Sequence, residues 1–156
     1  MSENTLMGAV AQVRRHTGVV LPVYLPASAD VPLGAALLAD TVQALLLLVE
    51  HPASICLSVD GEGNGQEVAD RLAGQYGVRK CCIPHNRGKL QALRQGIALL
   101  WEEPGLEYFA TVDADGAHFA NELPNLVRAA RHAQTRADEV LVLGRRISRH
   151  RPMGLA

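Results

Sequence analysis

The sequence predicts an α/β fold with a doubly wound, mainly parallel sheet, and three observations point there. Short β-rich runs alternate with helical patterns along the whole chain. The strand-like runs are apolar throughout instead of alternating, as expected of strands covered on both faces. The segments between them, about 12 to 16 residues, are long enough for the crossover helices that parallel neighbours require.

The elements follow in order. Residues 3–16 form an N-terminal helix, and "GVVLPVY" (18–24) is the first strand. A proline-punctuated loop over 25–33 leads to a helix at 34–50, stopped by His51-Pro52. "SICLSV" (54–59) is the second strand, "GQEVADRLAGQY" (65–76) the next helix, and "VRKCCIP" (78–84) the third strand. "GKLQALRQGIALLWEE" (88–103) places apolar residues at 90, 93, 97, 100 and 101, one helical face closed by Pro104-Gly105. "EYFATV" (107–112) is the fourth strand, 121–135 a helix, and "EVLVLG" (139–144) a fifth strand before a basic tail.

With 156 residues, the chain has room for one sizeable core. Aromatic residues are only 4% of it, so that core is built from Ala, Leu and Val. The net charge of −1 excludes a nucleic-acid footprint over the whole domain. Cys56, Cys81 and Cys82 lie in strand-like runs without zinc spacing and read as reduced core thiols of a cytoplasmic protein. Cys81 and Cys82 are expected on opposite faces of the sheet. The N-terminus lacks the apolar run of a signal peptide, and Asp40 and Gln43 interrupt "AALLADTVQALLLLVE", so no transmembrane segment is expected.

Ligands of parallel α/β sheets gather outside the carboxyl ends of the strands. Four segments share that rim: Pro22–Pro26, Asp60–Asn64, His85–Lys89 and Asp113–His118. Asp113 and Asp115 stand two residues apart where an apolar strand ends. Carboxylates ~5 Å apart repel by roughly 3 kcal/mol at an effective dielectric near 20, so a divalent cation, Mg²⁺ or Mn²⁺, is a natural partner. Alone, the pair reads equally well as a helix cap beside a solvated turn residue. Asp60 closes its strand in the same way, as a hydrogen-bond acceptor for a base-ring N–H or as a member of a tight "DG" turn. The glycines at 61, 63 and 65 do not match a dinucleotide fingerprint, whose third glycine falls at Gln66. Lys89 opens a helix after Asn86-Arg87-Gly88, a cation placed among free N–H groups that suit an anion. His118 reads as a polar residue at a helix start in preference to a further ligand beside Asp115, and Arg145, Arg146, Arg149 and Arg151 as either a phosphate grip or a frayed basic end.

In order and at sensible intervals, "VVLPVY", "SVDGEGNGQ", "NRGKLQALRQGI" and "DADGAH" resemble the motifs of family 2 glycosyltransferases of the GT-A fold. The likeness covers roughly residues 18–146 and is nearest to the dolichol- or polyprenyl-phosphate sugar synthases. It implies a nucleotide-sugar-binding domain over 18–144, preceded by an extension helix (1–17) and followed by a basic tail (145–156). It implies a UDP- or GDP-sugar donor held by Pro22, Tyr24, Asp60, Lys89, Asp113 and Arg146, with Asp60 on the base and Arg146 near phosphate. A divalent metal on Asp113 and Asp115 would act as a Lewis acid on the leaving nucleotide. The acceptor it implies is a polyprenyl phosphate or a cell-envelope polysaccharide, reached from the cytoplasm or the inner face of the membrane.

The sequence departs from the family pattern in three places. Leu25-Pro26 replaces the usual Asn-Glu, Gly116-Ala117 replaces Leu-Gln, and the chain ends about where an acceptor half would begin. With no base for an acceptor hydroxyl in view, the expectation is a donor-binding lobe: a glycosyltransferase, a truncated form of one, or a non-catalytic nucleotide-sugar module. A receiver-type phosphoacceptor domain needs an acidic pair after the first strand, and a sugar nucleotidyltransferase needs a basic, glycine-rich loop there; "VVLPVYLP" offers neither.

Overall fold

A computed structural model describes residues 5–114 and 120–144. The chain runs α1 (Leu6–His16), β1 (Thr17–Val23), α2 (Val31–Leu46), β2 (Ile55–Asp60), α3 (Asn64–Tyr76), β3 (Arg79–Ile83), α4 (Lys89–Trp101), β4 (Tyr108–Thr111) and α5 (Leu123–Gln134). Short 3₁₀ turns at Pro52–Ser54 and Ala120–Glu122 precede β2 and α5. The four strands form one sheet in the order β3-β2-β1-β4, and every pairing is parallel.

Period-two alternation along the strands divides the core. Val19, Leu21 and Val23 of β1 and Ile55, Leu57 and Val59 of β2 join Leu38, Val42 and Leu45 of α2, Val68 and Leu72 of α3, and Leu123 and Val127 of α5. Val20 and Cys56 face the other way, onto Leu93, Ile97 and Leu100 of α4. Both faces of the central strands are therefore buried, which explains runs such as "SICLSV" with no polar alternation. Cys82 packs with the first cluster and Cys81 with the second, on opposite faces as expected.

The winding has a handedness cause. From β1 the chain steps through α2 to β2 and through α3 to β3. It then returns past β1 to reach β4. Parallel crossovers are right-handed, so reversing the direction of travel moves the connecting helix to the opposite face. That helix is α4, and the strand order reverses between β1 and β4. Close packing of α4 depends on Gly96: a Cβ there would lie 2.5 Å from Val20 Cγ1 and 3.1 Å from Ser58 Cβ.

The helix expected at 34–50 and the strand expected at 139–144 differ from expectation, the helix ending at Leu46 and not at His51-Pro52. The helix expected at 34–50 begins at Val31 because Asp30 caps it, accepting from Leu33 N at 3.0 Å, with Pro32 in the first turn. The fifth strand expected at 139–144 is not formed; the segment has no regular secondary structure, and Leu141 and Leu143 are 83% and 78% exposed. An apolar, β-branched run becomes a strand only when a neighbouring backbone pairs with it, and sequence pattern cannot supply that neighbour. Among the described residues, no helix is long and apolar enough to cross a membrane.

Candidate functional site

The carboxyl rim opens because β1 outlasts β4. The last register pair is Val20 with Thr111, and Val112 N still donates to Val20 O at 3.1 Å. Backbone groups along a strand alternate sides, so Pro22, two residues on, also faces β4, which has ended there. Proline has no N–H to leave unpaired at that point. Past Pro22 the strands part, forming a crevice of about 560 Å³ lined by Pro22–Leu25, Asp60, Asn86, Gly88, Lys89, Asp113 and Ala114. Gly34, Leu37 and Leu38 of α2 close its apolar wall. A second crevice of about 470 Å³ adjoins it on the β2–β3 side, sharing Tyr24, Leu25, Asp60 and Asn86.

Asp60 ties this rim together. Only 5% of it is exposed, yet each carboxylate oxygen accepts a backbone N–H: Oδ1 from Arg87 at 2.8 Å and Oδ2 from Gly88 at 2.9 Å. These charge-assisted bonds fold the 86–88 loop back onto the end of β2. Gly88, with φ +90°, turns the chain from that loop into α4, a conformation suited to glycine. The next residue is Lys89, at the positive end of the α4 dipole. Its ammonium pairs with a carboxylate oxygen of Asp113 at the end of β4. Buried Asp60 thus sets the loop, the loop sets Lys89, and Lys89 meets Asp113 on the far side of the crevice.

Of the residues singled out in the sequence, Pro22, Tyr24, Asp60, Lys89 and Asp113 line one crevice. Asp115, His118 and the arginines at 145, 146, 149 and 151 lie outside the described residues. Leu25, which stands where a polar residue was expected, lies over α2; a Cβ at Gly34 would come within 2.6 Å of its Cδ2. Sequence reasoning missed Leu37 and Leu38 as walls of the site. In an apolar helix nothing separates a wall residue from a core residue.

The model for glycosyl transferase family 2 matches residues 19–148, a span reaching from β1 past α5. The chain belongs to glycosyl transferase family 2. Membership supports glycosyltransferase activity in general and implies a nucleotide-sugar donor and an acceptor. No match was found among curated proteins or among solved structures.

Divalent cations are common in family 2 enzymes, and the chain's own donors bear on whether one fits. Asp113 is an oxygen ligand of the type Mg²⁺ and Mn²⁺ favour, on the crevice wall and only partly exposed. Among the described residues, no group of three or more His, Cys, Asp or Glu side chains is placed to hold an ion. As a single carboxylate on the wall, Asp113 suits a cation which keeps waters and takes substrate oxygens.

Proposed function

We propose that the family 2 domain binds a nucleoside-diphosphate sugar along its carboxyl rim and transfers the sugar from it. The observation that carries this is the convergence of Lys89, Asp113 and the loop held by Asp60 on one crevice at the point where the strand order reverses. The diphosphate lies toward Lys89 and the N-terminus of α4, where positive charge and N–H groups favour an anion. Pro22 and Tyr24 border the nucleoside, and Arg146 is assigned to phosphate. Asp113 and Asp115 would hold a divalent cation, which would supply Lewis-acid stabilisation to a departing nucleoside diphosphate.

The chain's own groups have definite parts in this. Lys89, paired with Asp113, exchanges that carboxylate for a phosphate oxygen when donor binds. Leu25, Leu37 and Leu38 make a dry wall that strengthens charge interactions beside them.

One observation favours a second reading, a non-catalytic donor-binding module. Both carboxylates on the described wall are engaged, Asp60 by backbone N–H groups and Asp113 by Lys89, so neither stands ready as a general base.

Thermal shift with GDP and UDP, with and without Mn²⁺, tests donor binding, and turnover of a nucleotide sugar separates the two readings. Lys89→Ala is expected to weaken nucleoside-diphosphate binding about tenfold, the size of a charge-assisted contact. Unchanged affinity would remove Lys89 from the site. If Asp115→Ala binds nucleoside diphosphate with the same metal dependence as the parent, the metal assignment fails.

A further inference from the structure

With the diphosphate at Lys89, as proposed above, the base of the donor would extend toward the other end of the rim, where the second crevice lies between the ends of β1, β2 and β3. Asp60, the acceptor expected to read the base, is occupied there. It is nearly inaccessible, and each oxygen already takes a backbone N–H from the 86–88 loop. The other carboxylate on this crevice is Glu62. Among the described residues it has no side-chain hydrogen bond or ion pair.

Glu62 is not on a loose tip. Gly61 N donates to Ile83 O at 2.9 Å and Glu62 N to Pro84 O at 3.5 Å, extending the attachment to β3 beyond the end of β2. Gly61 and Gly63 flank it with φ of +92° and +121°. A Cβ on Gly61 would lie 3.3 Å from Asn86 N, so the two loops run against each other. Asn86 is oriented as well. Its Oδ1 accepts from Gly88 N at 3.1 Å, which leaves its amide N–H groups as donors for the crevice it lines.

We infer that Glu62 and Asn86 select guanine as the base of the nucleoside diphosphate, resting on the donor-binding role proposed above. A carboxylate offers two acceptors and the Asn86 amide a donor. Guanine is the base whose pairing edge carries two adjacent donors, N1–H and N2–H₂, followed by an acceptor, O6. Uracil presents one donor between two carbonyls, so the second carboxylate oxygen of Glu62 would face a carbonyl. Adenine and cytosine place a ring acceptor where Glu62 also accepts. Tyr24, shared by both crevices, offers an aromatic face for stacking.

Isothermal titration of the full chain with GDP, UDP, ADP and XDP in the presence of Mn²⁺ tests this. GDP is expected to bind at least tenfold tighter than UDP or ADP. Glu62→Gln replaces one acceptor by a donor, so it should lose tenfold or more in GDP affinity and gain XDP, whose base carries a carbonyl at position 2. A merely structural role for Glu62 produces no such gain. Asn86→Asp keeps the acceptor for Gly88 N–H but removes the donor to O6, and should weaken GDP binding. Preference for UDP or ADP, or GDP affinity unchanged in Glu62→Gln, overturns the assignment of the base while leaving the donor crevice intact. Failure of every diphosphate to bind overturns both.

Discussion

Asp60 illustrates how one buried carboxylate organises a site without standing free in it. Removing it strands the N–H of Arg87, leaves the N–H of Gly88 with Asn86 Oδ1 alone, and loosens the loop that presents Lys89. Bonds to a charged acceptor contribute about 1.5–3 kcal/mol each, and losses at neighbouring bonds do not add fully. Asp60→Ala is expected to lower unfolding stability by about 2–4 kcal/mol in a urea titration. A change within about 0.5 kcal/mol would mean the loop is held by other contacts. This arrangement was not legible in the sequence, because it depends on the 86–88 loop arriving from far downstream. "VDG" at a strand end announces a rim acid. Which groups that acid faces is a tertiary fact.

The elements themselves were largely legible, for a physical reason. Apolar runs too short for helices, separated by periodic stretches, leave few arrangements other than a covered parallel sheet. What failed was whatever needed a partner. The apolar run at 139–144 looks as strand-like as that at 107–112, but only the latter contains a segment with a ladder neighbour. Glycines inside helices make the same contrast. A Cβ placed on Gly74 in α3 would meet nothing within 4 Å, whereas one on Gly96 in α4 would meet Val20 and Ser58. Gly74→Ala should therefore stabilise the protein by about 0.5–1 kcal/mol through helix propensity. Gly96→Ala should destabilise it by about 1–3 kcal/mol, because fully buried Val20 has nowhere to go. Thermal denaturation of the pair checks both signs; equal effects would show that α4 does not pack closely on the sheet.

The strands β2 and β3 also carry a thiol pair beneath α4. The sulfurs of Cys56 and Cys81 lie 3.9 Å apart, and the hydrogen bond between them draws the Cys81 pKa down to about 7. The same bond, together with burial, pushes the Cys56 thiol up. Iodoacetamide should therefore modify Cys81 in the native protein at a rate that rises as pH passes through about 7. Cys56 should be modified only on unfolding. Peptide mapping by mass spectrometry reads the result, and faster native labelling of Cys56 would reverse the assignment.

At the scale of the whole molecule, the fold accounts for the position of the site. Right-handed crossovers send α4 to the opposite face, β4 docks beside β1, and Pro22 lies where β4 gives out, so the crevice opens at the reversal of strand order. Acid from β2, cation from α4 and acid from the end of β4 then line one crevice. The measurement that tests this most directly is an amide chemical-shift titration of the isotopically labelled chain with nucleoside diphosphate and Mg²⁺. The largest perturbations are expected at Val23–Leu25, Asp60–Gly63, Asn86–Lys89 and Val112–Ala114, with residues at the amino ends of the strands unmoved. Perturbations centred on the opposite rim of the sheet, or none at millimolar ligand, would contradict the account.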